Sequence, residues 1–170
     1  MCKIIHILLT VKRWAWKTFF CSRWSMIDPY FFDASVKHDN YLKMLTDFFW
    51  PRYYKSKNVN SFYFQQDGAP AHKHKEVQQW LTAQLGPKFL DKTMWPPRSP
   101  DLNPCDYFLW GYLKDKVYAK IPQTLLDLKG LIESELKSVN SIMLDRVFRN
   151  MRERCEAVLK SDEKHIEWSL

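Results

Sequence analysis

The stretch FYFQQDGAPAHKHKEVQQWL (62–81) changes periodicity in mid-run, and that change constrains the chain more than any other feature. Phe62 and Phe64 alternate with Tyr63 and Gln65, as on a strand whose successive side chains point to opposite faces. From Val77 the apolar residues recur at Val77, Trp80, Leu81 and Leu85. That spacing predicts one face of a helix from about 75 to 85, stopped by Gly86 and Pro87. Gly68 and Pro70 turn the chain between the two elements. Asp67 therefore stands at a strand-to-helix corner, and open α/β sheets place their sites outside the carboxyl ends of strands. An Asp-Gly pair is also ordinary turn chemistry, because Asp bonds its own local backbone and Gly accepts positive φ. One carboxylate does no metal chemistry unaided, so a function for Asp67 requires a partner elsewhere.

The flanking segments alternate in the same way. PYFFDASV (29–36) reads as a strand. HDNYLKMLTDFFW (38–50) places Tyr41, Leu45 and Phe48 on one helical face, with Asp39 or Asn40 as cap and Pro51 as the stop. KFLDK (88–92) reads as a short strand. Alternating strands and helices imply a mixed α/β sheet flanked by helices. The end of the chain is helical: Leu125, Leu128, Ile132 and Leu136 form one stripe, and Leu144, Phe148, Met151, Cys155 and Val158 a second. Thr124 and Ser141 are the expected caps. Both stripes read as core packing. Residues 1–27 hold material for one or two strands but show no turn signal and no clean alternation.

A length of 170 residues suffices for one ordinary domain that buries roughly 70% of its unfolded surface. Eight Trp against only four Gly argue for a packed globular chain rather than a disordered one. Cys2, Cys21, Cys105 and Cys155 have no paired spacing, so neither a disulfide framework nor a zinc knuckle is expected, and a reducing compartment follows. The apolar run from Ile4 to Val11 is far shorter than a membrane span and lacks a signal-peptide cleavage site, so the chain is read as soluble and intracellular, with no membrane partner. The net charge of +7 suits a polyanion such as nucleic acid.

A second corner lies in WPPRSPDLNPCDYFLWGYLKDKVY (95–118), where four prolines in ten residues hold a stiff, extended loop. Asn103 reads as an N-cap, Pro104 as the first helical residue, and Asp106 falls in the first turn, where a carboxylate also serves the helix dipole. Lys73 and Lys75 beside Asp67, Arg98 in the proline loop, and Lys114 and Lys116 after Asp106 are candidate phosphate contacts, equally readable as a solvated basic surface. Trp95 and Trp110 suit base stacking or packing. His72 and His74 are two apart, but no Cys or third His lies at zinc-ligand spacing.

Taken together, QQDGAPAH and WPPRSPDLNPCDYFLW resemble the mariner-type transposases of the DDE/DDD superfamily, and the resemblance extends over roughly residues 28–168. It implies a ribonuclease H-like fold with three acidic residues holding two divalent ions, Mg²⁺ or Mn²⁺. Asp67 matches the second acid and Asp106 the third, in an aspartate variant of the triad. His72 belongs to the same motif and is expected beside the metals rather than on zinc. DNA is the implied partner, bound weakly and without sequence specificity; a homodimer and a nuclear location are implied as well.

The chain departs from the pattern at the first acid, which the family carries mid-strand on the opening strand of the fold. Residues 1–27 contain no Asp or Glu. Asp28 and Asp33 align with a later strand and do not substitute. Asp28 and Ala34 also replace expected glycines. The expectation is a fold incomplete at its N-terminus, with a divergent segment 1–27, a catalytic-domain portion 28–170 and C-terminal helices. Two functions follow: a truncated or degenerate transposase related to metal-dependent DNA cleavage and strand transfer, inactive alone, or a non-catalytic module that binds nucleic acid or protein.

Overall fold

The computed structural model describes residues 3–8, 16–21, 26–55, 62–91, 94 and 99–160. The chain divides into two compact units, Met1–Ser22 with Met26–Pro97, and Arg23–Ser25 with Arg98–Leu170. Each unit has its own buried side chains.

The first unit is built on a five-stranded sheet in the order β3-β2-β1-β4-β5. Strands β1 (Lys3–Leu8), β2 (Trp16–Cys21) and β3 (Met26–Phe32) form an antiparallel meander. β4 (Phe62–Gln66) lies parallel to β1, and the short β5 (Phe89–Leu90) parallel to β4. The opening tract, whose strand content the sequence left open, thus supplies both β1 and β2. The opening strand is present in this sheet, at its centre. The run KIIHIL is apolar enough for such a central position without the alternation that marks a half-solvated strand. β3 ends at Phe32, earlier than the expected 36, because Asp33, Ala34 and Ser35 are poor strand formers. The Ser35 carbonyl instead accepts a hydrogen bond from Asn40 Nδ2 (3.0 Å).

Helix α1 (His38–Met44) follows. Both expected residues serve its start: Asn40 Oδ1 accepts the Lys37 N–H at 2.8 Å and Asp39 Oδ1 accepts the Asn40 N–H at 2.7 Å. Pro51 does not end the helical run as expected. A wide π turn at Leu45–Phe49 carries α1 into α2 (Trp50–Lys55), with Pro51 in the first turn of the new segment. There its missing N–H costs little, and the wider turn gives the ring room beside the preceding carbonyls. α3 (Pro70–Lys73) and α4 (Lys75–Leu85) complete the unit, and α4 ends where Gly86 takes φ +53°, a left-handed value that favours glycine. Val77, Leu81 and Leu85 point inward from α4, as their spacing predicts, and join Tyr41, Met44, Leu45, Phe49, Phe64 and Phe89 in one core. Phe64 is at its centre, edge-on to Phe49 (5.2 Å) and Phe89 (5.9 Å).

In the second unit Asn103 caps the helical run as expected: Oδ1 accepts the Cys105 N–H (3.2 Å) and its carbonyl accepts those of Asp106 and Tyr107. The run opens with a π turn at Cys105–Leu109 and continues as α5 (Trp110–Tyr118). α6 (Leu125–Ser138) starts from Thr124, whose side chain and Asp127 cap each other's backbone N–H at 3.0 Å. α7 (Ser141–Lys160) is capped by Asn140, not Ser141, through a 3.0 Å bond from the Met143 N–H. Ile132, Leu136, Leu144, Val147 and Met151 are buried, whereas Leu125, at the start of its stripe, is exposed. No helix among the described residues is long and apolar enough to cross a membrane.

Two stability predictions follow. Phe64→Ala empties the centre of the first core and should cost about 3–5 kcal/mol in denaturant unfolding. Ile121 is 71% exposed yet holds φ +48°, a left-handed conformation that costs a β-branched residue about 1–2 kcal/mol. Ile121→Gly removes that strain, loses part of the gain to unfolded-chain entropy, and should raise stability by about 0.5–1 kcal/mol, read as a higher Tm.

Candidate metal-binding corners

Asp67 is the first residue beyond β4, and its carboxylate is partly exposed. Its Oδ1 accepts two hydrogen bonds, from the Ala69 N–H at 3.0 Å and from His72 Nδ1 at 2.5 Å. The first is the Asx-type turn bond that an Asp-Gly sequence favours. The second is not turn chemistry, because His72 comes from α3 and is fully buried. A carboxylate only accepts, so Nδ1 carries the hydrogen in this bond. Every bond given to the Asp67 side chain falls on Oδ1. Oδ2 retains its lone pairs and suits a hard, oxygen-seeking divalent cation.

A chain of buried polar groups holds His72 in place. Its backbone carbonyl accepts from Gln66 Nε2 (3.2 Å) and Gln78 Nε2 (2.8 Å). Gln66 Oε1 in turn accepts from the Tyr41 hydroxyl at 3.0 Å, which fixes which end of the amide faces which partner. The Tyr41 ring also lies against the imidazole, with centroids 4.5 Å apart. Burial, reinforced by the nearby Asp67 charge, raises the Tyr41 hydroxyl well above its ordinary pKa, so it stays protonated and remains a donor. Sequence reasoning found Asp67 and His72 but missed Tyr41, Gln66 and Gln78 as their supports. Gln66 was visible in the QQD run, while Tyr41 is twenty-five residues away from it and carried only a packing signal.

Lys73 is exposed, and its chain folds over the turn: a Cβ added at Gly68 would stand 2.9 Å from Lys73 Cε and 3.0 Å from Nζ. Glycine at 68 thus lets an ammonium lie beside the Asp67 corner. Lys75, at the first position of α4, is exposed. His74 does not join Asp67; its ring stacks on His38.

In the second unit Asp106 lies half-buried in the first turn of the helical run, with its backbone N–H bonded to the Asn103 carbonyl. The corner is fixed from α7: the Tyr107 hydroxyl donates to the Val147 carbonyl (2.8 Å), and the Arg154 guanidinium covers the Tyr107 ring at 4.4 Å. Arg154 also donates to Asn150 Oδ1 (2.6 Å) and to the Asp101 carbonyl (3.4 Å). Lys114 and Lys116 are exposed on α5. Trp110 is half-buried at the start of α5. Arg98 and Trp95 lie outside the described residues.

The remaining element of a three-acid site is β1. It runs beside β4 with His6 in register with Gln65 and Ile7 with Gln66, one residue short of Asp67. The strand is KIIHIL and brings no carboxylate to that position. The residues present therefore suit an ion held by Asp67, and the acid that would bridge to a second ion from the neighbouring strand is lacking.

No protein-family profile matches the chain. It is 33% identical over 119 residues to the transposase of transposable element Tc3 of Caenorhabditis elegans, which covers 69% of the chain and 35% of that relative. It is 26% identical over 99 residues to the Tcb2 transposase of Caenorhabditis briggsae, covering 58% of the chain and 34% of the relative. The matched stretch thus spans about a third of the length of these relatives. Among solved structures, the catalytic domain of Mos1 mariner transposase superposes with a TM-score of 0.83 at 18% identity, covering 96% of the chain and 84% of that domain. The same domain with raltegravir and Mn fits equally, and the Mos1 strand transfer complex fits with a TM-score of 0.76 at 17% identity over 98% of the chain and 56% of that chain. The shared fold is ribonuclease H-like, and the chain belongs to the mariner-type transposases, as a portion of their catalytic domain.

Proposed function

We propose that the chain is a transposase catalytic-domain portion related to DNA transposition, retaining part of the metal chemistry and the DNA-binding surface but not a complete cleavage site. Asp67 and Asp106 are the proposed metal ligands. An Mg²⁺ or Mn²⁺ ion held there would supply Lewis-acid stabilisation of charge on a phosphodiester, and a complete two-ion site would be needed to serve both the attacking and the leaving oxygen. The observation that carries this reading is the one-sided bonding of Asp67: His72 and the Ala69 N–H hold Oδ1 and leave Oδ2 for an ion. The Mos1 catalytic domain solved with Mn supports the choice of ion.

The chain's own residues have distinct parts in this reading. His72 orients the Asp67 carboxylate through Nδ1. Lys73, Lys75, Arg98, Lys114 and Lys116 meet phosphates, giving weak, salt-sensitive and non-specific DNA binding. The Mos1 strand transfer complex supports DNA as partner; a homodimer and a nuclear location belong to the same proposal. β1 without a carboxylate favours a second reading as well, a non-catalytic nucleic-acid-binding module, because losing one acid removes charge compensation for a second ion and several kcal/mol of transition-state stabilisation. Each ~1.4 kcal/mol is a factor of ten in rate, so such a loss hides turnover.

The purified chain should therefore not nick supercoiled plasmid detectably in Mn²⁺. Robust nicking that disappears in Asp67→Ala would overturn the inactive reading and establish a working nuclease. His6→Asp, which puts an acid mid-strand beside β4, should introduce Mn²⁺-dependent nicking. DNA affinity should survive Asp67→Ala and fall steeply with salt. Lys73→Ala should lower the slope of log K against log salt by about one unit, whereas an unchanged slope would make Lys73 an ordinary solvated lysine.

A further inference from the structure

His72 and His74 lack a third zinc ligand in sequence, but the fold supplies one from a distance. His38, the first residue of α1, and His74, at the joint of α3 and α4, stack face to face with centroids 3.6 Å apart and planes 16° from parallel. Glu76, in the first turn of α4, completes a group in which one ligating atom from each residue lies within 4.8 Å of the other two. None of the three has a side-chain hydrogen bond or ion pair among the described residues, and His74 Nδ1 is buried without a partner. An imidazole nitrogen buried with no partner has lost its water and gained nothing in exchange. A metal ion is one partner that would satisfy it.

We propose that His38, His74 and Glu76 form a binding site for a borderline transition-metal cation of the Zn²⁺ or Co²⁺ class, separate from the Mg²⁺ or Mn²⁺ chemistry of Asp67. Two imidazoles and one carboxylate make a ligand set that such ions favour, with a fourth position for water on the side where Glu76 is exposed. Mg²⁺, which seeks oxygen ligands, is a poor match for it. Binding requires the two rings to turn out of their stack, because a metal sits in the plane of an imidazole rather than over its face. The N-terminal ends of α1 and α4 oppose a cation, and the Glu76 carboxylate offsets this. The ion would tie α1 to the joint that follows His72. The site thus clamps the segment behind the Asp67 corner without using Asp67 itself.

Co²⁺ is a spectroscopic probe of such a site. Titrating it into the full chain should give visible absorption bands that Zn²⁺ at an equal concentration displaces and millimolar Mg²⁺ does not. His38→Asn and Glu76→Gln should each weaken Co²⁺ binding at least tenfold, and Asp67→Asn should leave it unchanged. Glu76 is exposed, so Glu76→Gln keeps the fold, which circular dichroism checks. Zn²⁺ at about 100 times its Kd should shift the folding equilibrium of the wild type about 100-fold toward the folded state, read as a higher Tm, and should not do so in Glu76→Gln. Absence of Co²⁺ binding, or binding that survives both substitutions or is lost in Asp67→Asn, would overturn the proposal and leave the two rings as a packing contact. The Asp67→Asn arm separates this outcome from failure of the transposase reading, which rests on plasmid nicking and DNA binding.

Discussion

The contact between Asp67 and His72 is the constraint around which the first unit is organised. A carboxylate at the end of a strand would otherwise rotate freely or settle into its own turn, and here a fully buried imidazole takes one of its oxygens. Burying that imidazole demands partners for the backbone it brings along. Gln66 and Gln78 supply them at the His72 carbonyl, and Tyr41 anchors Gln66 from the first helix. Strand end, tight turn and three helices are thus tied together by five side chains, Asp67, His72, Gln66, Gln78 and Tyr41, before any ion or substrate is involved. In a low-dielectric interior, hydrogen bonds of this kind reinforce one another and resist partial loss.

The second unit fixes its corner by different means. Asn103 closes the start of the helical run, and α7 reaches back through Tyr107 and Arg154. Arg154 combines a flat contact on an aromatic face with bonds to Asn150 and Asp101, a mix that lysine could not reproduce. Each unit contains a wide helical turn, at Leu45–Phe49 and at Cys105–Leu109, the second of which carries Asp106. Such turns are frequent near functional sites because they re-aim side chains without breaking the helix.

Local signals in the sequence were legible where one residue decides a backbone event. Asp67 at the strand end, Gly86 with its left-handed φ, the Asn103 cap and the Thr124 cap all follow from short-range chemistry. Misreadings came where two local rules competed. Pro51 reads as a stop, but a wide turn accommodates it; Ser141 reads as a cap, but Asn140, one residue earlier, takes the bond. The bounds and number of the first strands stayed open for another reason: a strand paired on both sides need not alternate, so pairing rather than pattern defines β1 and β2. Tyr41 and His38 were not recognisable as polar partners, because their meaning depends on residues 25 and more positions away.

β1 also bears on how the fold and its chemistry come apart. A carboxylate on a central strand is a charge surrounded by low dielectric and by other acids, and in the absence of its ion it strains the folded state. A strand that reads KIIHIL escapes that electrostatic penalty. A sheet of this kind can therefore keep its architecture without carrying such a charge, a stability–activity exchange in which the fold does not depend on the acid.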